Sequence, residues 1–92
     1  MKLLGREILE AFLLKHADAR GAIASWVAEI ETAEWRTPHE MKARYASASI
    51  LHDNVVIFNI KGNTYRLEAM VTYKTQVAMA LWVGTHAEYS NR

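Results

Sequence analysis

Residues 54–73, NVVIFNIKGNTYRLEAMVTY, alternate apolar and polar side chains in two runs separated by Gly62-Asn63. This pattern marks a β-hairpin with one buried face, and it constrains the fold more than any other stretch of the chain. Gly-Asn favours a two-residue turn. Counting outward from it opposes Lys61 with Thr64, Ile60 with Tyr65, Asn59 with Arg66, Phe58 with Leu67 and Ile57 with Glu68. Directly opposed residues share a face. One face then carries Val56, Phe58, Ile60, Tyr65, Leu67 and Ala69, and the other Asn59, Lys61, Thr64, Arg66 and Glu68. A slip of one residue would scramble this sorting, so the pattern itself sets the register.

A hairpin needs something to bury its apolar face, and the first half of the chain supplies it. REILEAFLLKHA places Ile8, Leu9, Phe12 and Leu13 on one helical face. In DARGAIASWVAEIETAEW, Asp18 is the expected N-cap and Ala19, Ile23, Trp26, Ile30 and Ala33 form the buried stripe. Gly21 lies early in that helix, where a close helix–helix contact would explain its presence. RTPHEMKARY reads as a short third helix: Thr37 caps it, Pro38 opens it and Glu40 completes a capping box. SASILHDN is a brief extended piece ending in a turn at Asp53-Asn54.

After the hairpin, a turn near Lys74-Thr75 returns QVAMALWVG alongside YRLEAMV. Its nearly continuous apolar character predicts burial on both faces. MKLLG would add an edge strand. The expected fold is α+β: two N-terminal helices and a short third helix on one face of a small, mainly antiparallel sheet. The 92 residues suffice for one domain, residues 1–92.

Composition narrows function only weakly. The chain has no cysteine, which excludes disulfides and cysteine-based zinc sites. The N-terminal apolar run is too short and too charged for a signal peptide or membrane span, so a cytoplasmic location is the default. A net charge of +1 gives no global case for nucleic-acid binding. The four histidines lack metal-ligand spacing, and no cofactor motif is present.

A local case remains. The antiparallel return sets Gly84, Thr85 and His86 beside Thr64–Arg66, with Tyr89 one step further. Lysine, arginine, histidine and tyrosine then meet at one end of the sheet, where two cations suit a phosphate or carboxylate. Each residue also has an ordinary explanation. Arg66 and Glu68 would form a surface ion pair, Lys42 and Arg44 a solvated helix face, and Trp26, Trp35 and Trp82 core or interface.

IFNIKGNTYRL and VGTHAEY resemble the signature of the HigB toxins of the RelE/ParE-like superfamily, and the likeness extends to MKLLGREILEAFLLKHADA and AEWRTPHEMKARY. The resemblance implies the RelE-like fold and an mRNA interferase, an endoribonuclease that cuts messages on the ribosome. It also implies a helix-turn-helix, HigA-like antitoxin as partner. By the same resemblance Arg66, His86 and Tyr89 would be catalytic, while Lys61, Asn59, Asn63 and Lys42 would face RNA phosphates. The chain departs from the family pattern at Met70 and Leu81, where Lys and Arg are usual, and at Ala46 in place of Pro. Fewer cations imply weaker RNA binding. A RelE-fold binding module without turnover and a ParE-like gyrase inhibitor are the alternatives.

Overall fold

The computed structural model describes residues 1–92. Helices α1 (Arg6–Lys15) and α2 (Arg20–Thr32), joined by a 3-10 turn at Ala17–Ala19, lie on one face of a five-stranded sheet. The strands are β1 (Lys2–Leu4), β2 (Ser49–Ile50), β3 (Val55–Ile60), β4 (Tyr65–Thr72) and β5 (Val77–Thr85). Helix α3 (Pro38–Arg44) precedes β2, and α4 (His86–Ser90) follows β5. Sheet order is β1-β5-β4-β3-β2, antiparallel except for β1 against β5. No helix is long and apolar enough to cross a membrane.

The expected hairpin register is the observed one from Ile57↔Glu68 to Ile60↔Tyr65. Its inward residues Val56, Phe58, Ile60, Tyr65, Leu67, Ala69 and Val71 join Leu9 and Phe12 of α1, Ile23, Trp26 and Ile30 of α2, and Met41 of α3 in one core. Asp53 and Asn54 both take positive φ (60° and 64°), as a two-residue hairpin turn between β2 and β3 requires. The β4–β5 turn has no glycine, and Gln76 takes its positive φ of 59° instead. The Gln76 amide nitrogen donates to the carbonyls of Trp35 (2.6 Å) and Tyr73 (2.8 Å), which holds that conformation in place.

The structure corrects five expectations. The left-handed residues of the β3–β4 turn are Lys61 (φ 53°) and Gly62 (φ 67°), not Gly62 and Asn63, so Lys61 leaves the strand pattern before the turn closes. Strand β5 is not buried on both faces. Met79 is 38% exposed and Trp82 is only half-buried, because the helices cover one side of the sheet alone. Asp18 caps no helix: the 3-10 turn runs straight into α2, and its carboxylate turns to the sheet. Glu40 bonds the Arg36 amide rather than that of Thr37, although Thr37 does cap α3. Gly21 has no neighbour where a Cβ would stand, so no close helix contact explains it.

That last point yields a stability prediction. Gly21 is exposed on α2 with an ordinary helical backbone, so Gly21→Ala removes unfolded-chain entropy without a clash. The variant is expected to gain about 0.5–1 kcal/mol, read as a higher urea midpoint at unchanged slope.

Candidate functional site

The sheet face opposite the helices is built from the alternate residues of β4. Arg66, Glu68, Met70 and Thr72 are half-buried there, whereas Tyr65, Leu67, Ala69 and Val71 are fully buried on the core side. Arg66 lies between Asn59 on β3 and Gly84 on β5, and Glu68 lies opposite Trp82. A bulge follows, with Ala69 opposite Ala80, leaving Leu81 as the extra residue of β5.

Helix α4 closes one end of this face. Thr85 Oγ1 accepts from the Glu88 amide (3.0 Å), and Glu88 Oε1 accepts from the Thr85 amide (2.8 Å), a complete capping box. Those bonds from Thr85 hold the Glu88 carboxyl below its ordinary pKa. The His86 amide donates to the Thr64 carbonyl (3.3 Å), tying the helix start to the hairpin turn. His86 therefore sits beside Thr64, where the sequence reading puts it. It precedes Tyr89 by three residues, the spacing that makes neighbours on a helix.

The Arg66 guanidinium lies over the Tyr89 ring, 5.4 Å from its centroid, and its Nη2 reaches Asn63 Oδ1 at 3.4 Å. Asn59 donates to the Ser47 carbonyl (3.2 Å). Arg66 Nε and Asn59 Oδ1, on cross-strand partners, are both buried and without a hydrogen-bond partner. Unmet polar capacity of this kind is costly unless something supplies the missing bond.

Of the residues singled out from sequence, Arg66, Asn59, Asn63 and Tyr89 come together at this end of the sheet, and the His86 backbone starts the helix beside them. Two lysines do not join them. Lys61 Nζ bonds Asp18 Oδ2 at 2.8 Å on the helical side, where the buried Tyr65 hydroxyl also donates to Asp18 (2.8 Å). Its place in the left-handed turn sends the side chain away from the polar face. Lys42 Nζ donates to the carbonyls of Ala46 (2.8 Å) and Ala48 (2.7 Å), pinning the loop after α3. Nor does Arg66 pair with Glu68: that carboxylate accepts from Arg92 Nη1 at 2.7 Å. Arg66 forms no salt bridge at all.

One residue of this surface, Arg92, escaped the sequence reading, and a second, Trp82, reads there as core or interface. Trp82 is on the open face rather than in the core, 6.1 Å from Tyr89 by ring centroids, and the Arg92 guanidinium lies 4.4 Å from its centroid. The signal was present in Thr85-His86-Ala87-Glu88, a capping-box pattern that starts a helix and carries Tyr89 and Arg92 back over the sheet.

The Asp18 contact makes a second prediction. The Lys61 bond, then the Tyr65 bond, hold the Asp18 carboxyl below its ordinary 3.8. A depressed carboxylate stabilises the fold fully above its unfolded pKa and loses that contribution as pH falls through the folded value. Thermal midpoints of wild type and Asp18→Asn should differ at pH 7 and converge below about pH 4.

A two-helix layer on one face of a mostly antiparallel sheet, with arginine and aromatic side chains clustered on the other, is the RelE-like class of small α+β protein. The HigB toxin family, described as the RelE-like toxic component of a toxin-antitoxin system, matches residues 19–92, and the chain belongs to it. The match begins after β1 and α1, so it takes in the whole hairpin, β5 and α4. No curated protein matches the chain. Membership implies an antitoxin as partner.

Proposed function

We propose that this protein is an endoribonuclease that cuts messenger RNA by attack of a 2′-hydroxyl on the adjacent phosphate. The observation that carries the reading is Arg66: a cation without a carboxylate partner, on an open sheet face, with an unpaired Nε, the Tyr89 ring beside it and the helix that His86 begins at the same end of the sheet. In this scheme the 2′-oxygen bonds to phosphorus and the 5′-oxygen leaves. The products are a 2′,3′-cyclic phosphate and a 5′-hydroxyl. The guanidinium fork stabilises the charge that builds on the phosphate oxygens. His86 is the proton-transfer group of the scheme, taking the proton from the 2′-hydroxyl or giving one to the departing oxygen. Tyr89 holds the Arg66 plane and orients the RNA, and Asn59 and Asn63 offer neutral hydrogen bonds to the sugar–phosphate chain. Binding to a ribosome would supply much of the positioning. The proposed partner is a helix-turn-helix, HigA-like antitoxin, and the proposed site of action is the cytoplasm.

One observation favours a second reading, a RelE-fold binding module with little turnover. Lys61 and Lys42 are committed to other contacts, and Met70 and Leu81 bring no charge, so few cations are available for phosphates. Expression in growing cells separates the two. The nuclease reading expects growth arrest and cleaved messages with cyclic-phosphate ends. Normal growth with intact messages would reject it.

A further inference from the structure

We propose that Trp82, with Tyr89 beside it, is a stacking platform for an unpaired base of single-stranded nucleic acid, next to the phosphate position set by Arg66. The inference rests on reading this face as an RNA-binding surface, and it names the subsite that surface uses.

Trp82 projects from β5 on the side that α1 and α2 leave uncovered, opposite Glu68, and is only half-buried. None of its aromatic contacts is with a core residue. Its Cζ2 and Cη2 atoms lie against Gly84, where an added Cβ would stand 2.6 and 2.7 Å away. Glycine at that position leaves the space that the ring edge occupies. A large ring left partly in water retains apolar area that a ligand can bury with a gain in free energy.

The neighbours of the ring identify what would cover it. Tyr89 carries Arg66 over its face, and Trp82 carries Arg92 over its own. Two aromatic rings interleaved with two guanidiniums are the arrangement that takes bases on the rings and phosphates on the cations. Arg92 is held over Trp82 by the cation–π contact and one partly exposed ion pair with Glu68, with side-chain exposures of 40% and 18%. Both contacts are weak enough to exchange. A base entering over Trp82 replaces the guanidinium with another π surface, and Arg92 swings to the neighbouring phosphate. Every base has a π face, so the platform tolerates any sequence and adds affinity rather than selectivity.

The test uses fluorescein-labelled oligo(dT), which lacks the 2′-hydroxyl and cannot be cut, with binding followed by anisotropy at fixed low salt. Trp82→Leu should bind about tenfold more weakly than wild type, and Trp82→Phe should retain most of the affinity. Equal binding by wild type and Trp82→Leu overturns the proposal, whatever that variant does to antitoxin binding. Should Trp82→Leu fail to fold, Trp82→Thr, whose residue type suits a half-exposed strand position, serves instead, and unchanged affinity there is equally fatal. RNA cleavage is measured separately. Trp82-dependent binding without cleavage rejects the nuclease reading and keeps the platform, while cleavage with Trp82-independent binding does the reverse.

Discussion

Arg66→Ala is expected to lower single-turnover RNA cleavage by about 10²–10³-fold, the usual cost of deleting one group aimed at developing charge. The fold should survive. Arg66 is half-buried on the open face, outside the core cluster, and no ion pair is broken by its loss. The variant should therefore melt close to wild type, which separates lost chemistry from lost structure. Arg66→Lys tests the geometry: it keeps the charge but loses the planar fork and the stacking on Tyr89, so its rate should fall between the two. Wild-type cleavage by Arg66→Ala would sink the role assigned to this residue.

The parts of this site that were legible in the sequence are those governed by strand alternation. Asn59 and Arg66 could be paired in advance because a register shift would have exposed Phe58 and Leu67. His86 could be placed beside Thr64 because an antiparallel return leaves few choices. Periodicity says nothing, however, about a side chain in a turn. Lys61 sits where the backbone enters the left-handed region, and its destination was decided by Asp18, 43 residues earlier in the chain. Trp82 misled for another reason. A continuous apolar run reads as a strand buried on both faces, yet only the core side of β5 is covered, and the open side uses its apolar residues on the surface.

The electrostatics of the open face follow from the same placements. Three basic residues were candidates for one anion site from sequence, Arg66, Lys61 and Lys42, and the structure adds Arg92. Lys61 is neutralised by Asp18, Arg92 is paired with Glu68, and Lys42 is spent on two carbonyls. In the RNA-free protein Arg66 thus has little help from neighbouring charge, and initial affinity for RNA has to draw on other contacts. Stacking supplies such contacts without adding charge, which is consistent with an aromatic pair occupying the ground next to Arg66.

Phe58→Ala should cost about 3–5 kcal/mol, a large share of the roughly 5–15 kcal/mol available to a domain of this kind. The ring has no exposed surface and sits where three elements meet. Its edge contacts are with Trp26 of α2 (5.4 Å between centroids) and Tyr45, the residue closing α3 (5.2 Å). Tyr45 is itself half-buried: partial burial and the Glu29 carboxylate push its phenol up to about 12. Truncation leaves a void shared by sheet and helices that neither side can fill alone. Urea unfolding should show a lower midpoint with the slope retained, and Phe58→Leu, which keeps most of the volume, should lose no more than about 1.5 kcal/mol. A loss below about 1 kcal/mol for Phe58→Ala would mean that the site can collapse around the gap. The damage should also be uneven across the functional face. Asn59 depends on the Ser47 carbonyl, which follows Tyr45, so it should loosen first. Arg66, Tyr89 and Trp82 are held by β4, β5 and the capping box of α4 and should keep their arrangement. Cleavage per folded molecule should consequently fall far less in Phe58→Ala than in Arg66→Ala, even though its stability falls far more.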